Sequence, residues 1–246
     1  MEKIKNKVMK WLGTNPTIFS LRKKVGEILV EYYGTKNGFI SFFDDPLSNK
    51  GLILVRQVRK ETESSMKDQE ALFIYTTVVK TEKIPGDVAE VGVYKGGSIK
   101  LICEATKKPI HAFDTFEGLP DLSEHDNPQQ FHRGDFSFSL ESVKKYLKDY
   151  TNISFYKGLF PFTAEPVKNK MFSFVHFDVD IYESTLECLK FFYPRMNKGG
   201  AIISHDYFGA PGVTKAFDEF FADKPEIIIT PFGTGRATGQ CLVIKV

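Results

Sequence analysis

Cysteine is scarce in this 246-residue chain: Cys103, Cys188 and Cys241 are three, widely spaced, each set in an apolar stretch. That pattern argues against a disulfide framework or a cysteine-built zinc site and leads us to expect buried free thiols, as a reducing cytoplasm allows. Long apolar runs are missing as well. Nothing approaches the ~20 consecutive apolar residues of a membrane span, and the opening MEKIKNKVMKWLGTNPTIF holds no uninterrupted apolar segment of signal-peptide length. A soluble, cytoplasmic protein is expected. Nor is there an excess of either charge: 33 Lys and Arg face 31 Asp and Glu, so long-range electrostatics give no reason to expect nucleic acid or an acidic membrane as partner. The basic first turns, with Ile4, Val8, Met9, Trp11 and Leu12, read as a short amphipathic helix that packs on its own domain or touches a membrane surface.

What the chain does have is apolar mass. Its hydrophobic fraction of 42% and its 23 phenylalanines can fill a sizeable core. The length suits one large α/β domain with an extension. Ile18, Leu21, Val25, Ile28, Leu29 and Tyr32 recur at helical spacing, and so do Leu72, Phe73, Thr76 and Val79 ahead of Pro85. Between them, residues 33–67 read as a long irregular segment of the kind that forms lids. We therefore expect a helical extension and lid over 1–84 and a ligand-binding domain over 85–246. From residue 87 short apolar strands alternate with helical patterns: DVAEVGV, IHAFDT, ISFYKG, FSFVHFDVD and GAIISHD. A marked helix follows, with Val213, Ala216, Phe217, Phe220 and Phe221 on one stripe, and then EIIITPF and GQCLVIKV, separated by a Gly-rich linker that reads as a hairpin. The expected fold is a doubly wound, mostly parallel, seven-stranded sheet closed by an antiparallel hairpin.

Such a sheet binds ligands beyond the carboxyl ends of its strands. The first strand ends in EVGVYKGGS, residues 90–98. Gly92 permits a tight turn, and Gly96, Gly97 and Ser98 open the next helix, where amide donors collect. Glu90 is placed to take the ammonium group of a methionine moiety, with Tyr94 beside it. The bland reading, a turn that needs glycine only to bend, stands next to this one. Asp114 ends the second strand about twenty residues on, where a carboxylate can accept from both hydroxyls of a ribose. The turn reads G-x-x-x-G-G rather than G-x-G-x-x-G, which favours S-adenosylmethionine over a pyrophosphate-bearing dinucleotide. Around Gly158, at the end of the third strand, a main-chain amide and an apolar side chain either hold an adenine or simply pack.

The fourth strand ends at Asp178 and Asp180 and the fifth at His205-Asp206. Methyl transfer to an alcohol needs a base or a metal to favour loss of the hydroxyl proton. Asp178 and His205 are the candidate catalytic groups, and Asp178, His205 and Asp206 the candidate ligands of a Mg²⁺ ion. Asp180 is placed to cap the helix that follows. His176, inside its strand, faces a neighbour in the fold.

GDVAEVGVYKGGS, HAFDTFEGLP, FVHFDVDIYESTLECLKFFYPRMNKGGAIISHDY and PGVTKAFDEF, in that order, resemble the macrocin O-methyltransferase family of class I S-adenosylmethionine-dependent enzymes. The resemblance runs from about residue 55 to the C-terminus. It implies S-adenosylmethionine and Mg²⁺ as cofactors, Asp178 as metal ligand and base, Asp206 as a second ligand, and a sugar hydroxyl on a small molecule as acceptor. Where several members carry two adjacent acids, this chain has His205-Asp206, and imidazole is a less natural ligand for Mg²⁺. By the same resemblance Ser65 and Met66 belong to a segment that folds over the cofactor. A homo-oligomer is compatible with all of this. A nicotinamide-dependent oxidoreductase and a non-catalytic module of the same fold are the alternatives; the glycine spacing argues against the first and the intact strand-end residues against the second.

Overall fold

The computed structural model describes residues 45–62, 66–231 and 239–246. Residues 43–246 form one compact unit. The helical reading of 18–32, and Ser65, lie outside the described residues. Described elements begin with helix α1 (Pro46–Thr62), which overturns the expectation of irregular structure over that part of residues 33–67. Its start was legible: Asp45 Oδ2 accepts from the Ser48 amide at 2.9 Å and Pro46 supplies the first helical residue. Val55 and Val58 face the core at helical spacing, and the charged run after them fastens the helix down. Glu61 Oε2 takes Lys100 Nζ at 2.7 Å and the Tyr146 hydroxyl at 2.6 Å.

Helix α2 (Asp68–Thr81) leads into β1 (Asp87–Val91), α3 (Gly97–Ala105) and β2 (Ile110–Asp114). After a long connection come α4 (Leu140–Tyr146), β3 (Ile153–Lys157), β4 (Phe172–Phe177), α5 (Tyr182–Phe192), β5 (Met196–Ser204), α6 (Pro211–Phe221) and β6 (Cys241–Ile244). The strand order is β3-β2-β1-β4-β5-β6. All pairs are parallel except β5 with β6. The order reverses between β1 and β4, and that is where an open α/β sheet leaves a crevice.

Alternate residues of each strand feed opposite faces. Ala89, Val91, Phe113, Ile202 and Val243 join one cluster with Phe192 of α5 and Phe217 of α6. Val88, Ala112, Ala201 and Ile203 join the other with Ile99 and Ile102 of α3. Phenylalanine dominates the first face, where Phe192 stacks on Phe160 with centroids 5.2 Å apart and meets Phe172 edge-on at 5.0 Å.

Six strands are described where seven were expected. EIIITPF contributes one antiparallel bridge, Ile229 to Leu242, instead of a strand. Pro225 and Pro231 bracket it and cannot donate to a ladder, and Ile227 is 72% exposed, so that edge buries little. The antiparallel close of the sheet is as expected. No described helix is long and apolar enough to cross a membrane.

Candidate active site

A cavity of about 340 Å³ opens where β1 and β4 diverge. Gly92, Tyr94, Ser98, Asp114, Gly158, Met66, Asp178, His205 and Asp206 all line it, so most of the expected site residues converge. Gly96 and Gly97 stand just behind it, as the left-handed cap (φ +85°) and first residue of α3.

Glu90 lies deeper than expected. It is fully buried, is not part of the cavity wall, and Oε1 meets His176 Nδ1 at 2.7 Å. Burial pushes Glu90 up to about 8 and His176 down to about 4. Near neutral pH the two are therefore largely an uncharged hydrogen-bonded pair, and Ser98, to which Glu90 also hydrogen-bonds, lines the cavity.

Asp114 organises the turn. Oδ2 accepts from the amides of Val93 at 2.7 Å and Tyr94 at 2.8 Å, and Oδ1 from that of Phe116 at 2.6 Å. This holds Tyr94 in a left-handed conformation (φ +48°). Positive φ at residues other than glycine recurs at Phe116, Phe136, Asp180 and Asp206. Four of the five line the cavity. Backbone strain gathered in one place marks a working site.

At the far end of the cavity, ligand atoms of Asp178, His205 and Asp206 lie within 4.8 Å of one another. His205 Nδ1 is 2.7 Å from Asp206 Oδ2 and 3.6 Å from Asp178 Oδ1. Burial acts on His205 most strongly and lowers its pKa, but Asp178, Asp206 and Glu70 together outweigh it and hold the imidazole well above its ordinary value. Burial raises Asp178 to about 6. Asp180 is pushed well up by burial and by Asp178 and Asp206. Asp206 stays low in spite of burial, because His205 hydrogen-bonds it.

Asp180 does not cap α5. That bond comes from Asp126 in the connection after β2, whose Oδ1 accepts from the Tyr182 amide at 2.8 Å. Asp180 instead turns into the cavity beside Asp206.

The connection between β2 and α4 was overlooked in the sequence beyond its first residues. It supplies Gln130, Phe131, Asp135 and Phe136 to the cavity wall. Its length was the available signal, since structureless connections longer than ~12–15 residues are commonly functional. Leu119 pins the loop through both of its backbone groups: its amide donates to the Asp135 carbonyl and its carbonyl accepts from the Gly134 amide, each at 2.9 Å. Gln130 Nε2 ties this loop to the Gly209 carbonyl at 2.9 Å, beyond β5.

A doubly wound sheet with this order, a glycine turn after β1 and acids after β4 and β5 define the class I methyltransferase fold. Solved methyltransferases superpose on it. The O-methyltransferase NovP does so with a TM-score of 0.64 at 22% identity, over 81% of this chain and 99% of that one. The calicheamicin methyltransferase CalS11 does so with a TM-score of 0.54 at 18% identity, over 82% and 94%. At those identities the likeness speaks for the fold. The family is shown by sequence: residues 66–231 match Macrocin-O-methyltransferase (TylF), and the chain belongs to that family. Its relatives include demethyldecarbamoylnovobiocin O-methyltransferase of Streptomyces niveus, 29% identical over 56% of this chain and 59% of that protein. Another is mycinamicin III 3''-O-methyltransferase of Micromonospora griseorubida, 27% identical over 56% and 61%. The match thus spans about three fifths of these relatives' length.

Proposed function

We propose that the chain is an S-adenosylmethionine-dependent O-methyltransferase acting on a hydroxyl of a sugar or glycosylated small molecule. The observation that carries this reading is the meeting of the glycine turn and the Asp178–His205–Asp206 cluster in one cavity. The names of the relatives support the acceptor class, among them an 8-demethyl-8-(2,3-dimethoxy-alpha-L-rhamnosyl)-tetracenomycin-C 4'-O-methyltransferase of Streptomyces olivaceus.

The cofactor, when bound, supplies an electrophilic methyl group. Asp114 takes the ribose, the Gly158 turn the adenine, and Ser98, with Glu90 behind it, the methionine end; Gly92, Tyr94, Gly96 and Gly97 shape that end. The segment at Met66 lies over the bound cofactor, and the place of Met66 in the cavity wall supports this. Asp178 accepts the proton of the acceptor hydroxyl as the oxygen approaches in line. His205 holds positive charge beside Asp178 and Asp206, and so keeps the carboxylates poised.

The donor set fits a divalent cation in its oxygens: Asp178 and Asp206 are hard ligands that Mg²⁺ prefers. When bound there, the ion would polarise the acceptor hydroxyl. His205 fits less well, because its Nδ1 already bonds Asp206. That contact favours a second reading in which the imidazolium takes the place of the cation and transfer needs no metal.

Calorimetry with S-adenosylmethionine and S-adenosylhomocysteine tests the proposal. Both should bind the folded chain, and a mass-spectrometric screen of hydroxylated glycosides should then find one that gains a methyl group. A folded protein that binds neither nucleoside would overturn it.

A further inference from the structure

Glu70 sits in the first turn of α2, 4% exposed and outside the cavity wall. Its carboxylate joins three segments far apart in sequence. Oε2 accepts from the Lys67 amide at 2.9 Å, the reciprocal half of a capping box that fixes how the chain enters α2. Oε1 accepts from the Gly239 amide at 3.0 Å, on the approach to β6. Oε2 also faces Nε2 of His205 at 3.5 Å.

That imidazole is held from two sides. Nδ1 meets Asp206 Oδ2 at 2.7 Å, while Nε2 is buried and makes no hydrogen bond. A buried donor left unpaired is costly, and the carboxylate facing it at ion-pair distance is Glu70. The residue before Lys67 is Met66, part of the cavity wall. One side chain therefore touches both the turn that delivers Met66 and the far face of His205.

We propose that Glu70 is a positioning residue of the methyl-transfer site, holding His205 from behind and, through Lys67, seating the Met66 turn against the bound cofactor. The inference rests on reading this cavity as the methyl-transfer site. Contacts that support catalysis are commonly long before the ligand binds and tighten afterwards. Filling the cavity draws the Met66 turn inward and brings the Glu70 carboxylate to hydrogen-bond distance of Nε2. The bland competitor is that Glu70 only caps α2.

Nitrogen NMR of the His205 imidazole, at one fixed pH and assigned with His205→Asn, separates the two. Lys67→Pro removes the capping donor and suits the local backbone, since Lys67 has φ −71°. Glu70→Gln removes the carboxylate charge. In the full-length natural chain, S-adenosylhomocysteine should move the Nε2 resonance toward its hydrogen-bonded position. Glu70→Gln should abolish that movement, shift the ligand-free resonance, and weaken S-adenosylhomocysteine binding roughly tenfold. Lys67→Pro should leave the His205 resonance in place. If Glu70→Gln does not fold, Glu70→Asp, one methylene shorter, should give the same loss. A folded Glu70 variant with the natural His205 spectrum, or a Lys67→Pro spectrum altered as much as that of Glu70→Gln, would overturn the inference. A natural chain that binds no S-adenosylhomocysteine overturns the methyltransferase reading instead, and the ligand-free spectra still decide whether Glu70 holds His205.

Discussion

Gly92 and Asp178 meet backbone to backbone: a Cβ on Gly92 would stand 1.8 Å from the Asp178 carbonyl oxygen. The Asp178 amide in turn bonds the Val91 carbonyl at 2.9 Å. The turn expected to hold the cofactor and the strand end expected to do the chemistry are thus one packed unit. Glycine is required at 92 by a neighbouring strand, before any ligand is considered.

Gly92→Ala should therefore be among the most damaging small substitutions in the chain. The methyl group meets main chain that cannot swing aside, and φ is +89°. A loss of more than ~3 kcal/mol is expected in denaturant unfolding, together with loss of S-adenosylhomocysteine binding. An alanine variant of natural stability would mean that the β1 and β4 ends can part.

Asp126 clamps the site from the other side. It caps α5 through the Tyr182 amide and holds its own loop through Ser123, whose amide and hydroxyl donate to Oδ2 at 2.9 and 2.7 Å. Asp126→Ala should cost about 1–2 kcal/mol in thermal unfolding. Asp126→Asn keeps an acceptor for Tyr182 and should recover part of that loss; equal losses in the two variants would show that the cap bond contributes little.

The five parallel strands and the antiparallel close were legible because alternation of apolar residues with helical patterns leaves few topologies open. Asp114, Asp178 and Asp206 were legible for the same reason, as strand ends in such a sheet face one crevice. What escaped notice depends on contacts between distant segments. Asp180 and Asp126 look alike as cap candidates in sequence, yet only the folded loop shows that Asp126 reaches Tyr182. Glu90 looked like a ligand-binding acid by position, while its partner His176 is 86 residues away in the chain and one strand away in space. Helix α1 was hidden by its charged run, which the fold turns into ties such as Glu61 to Lys100.

The Glu90–His176 pair should make stability depend on pH in a readable way. Glu90 titrates near 8 in the fold against 4.5 ordinarily, so the folded chain binds the extra proton, and stability falls as pH rises through that range. His176, near 4 in the fold against 6.5 ordinarily, acts in the opposite sense and only at lower pH. Between pH 6.5 and 8 the Glu90 effect adds to one of the same sense from His205, whose imidazole the fold also holds above its ordinary value. Glu90 should account for about 2 kcal/mol of the stability the natural chain loses across that window in urea unfolding. Glu90→Gln, which has no proton to lose there, should lose that much less; an equal loss in the variant would assign the pH dependence elsewhere.

Asp178 is the proposed proton acceptor, and burial raises it to about 6. It must be ionised to act, so turnover with a responsive glycoside should be full above that pH and fall away below it. Asp178→Asn should lower turnover by roughly 10² to 10⁴ while S-adenosylhomocysteine still binds in calorimetry. Normal turnover in that variant would remove Asp178 from the proton transfer.

His205 decides between the metal-assisted and metal-free readings. As an imidazolium it supplies, within the cluster, the positive charge that a cation would otherwise bring, and its Nδ1 occupies Asp206. His205→Asp removes that charge and adds a third carboxylate to Asp178 and Asp206, an oxygen set that a hard divalent ion prefers. Followed by the electron paramagnetic resonance of Mn²⁺ titrated into ligand-free protein, the variant should bind the ion at least about tenfold more tightly than the natural chain, as expected when a like charge is removed from beside a cation site. If the natural chain and the variant bind Mn²⁺ equally, His205 neither repels nor displaces a metal, and the imidazolium cannot be its substitute. If the natural chain binds none while turning over a glycoside in the presence of EDTA, the metal-free reading holds, and the cation that balances Asp178 and Asp206 is His205 itself.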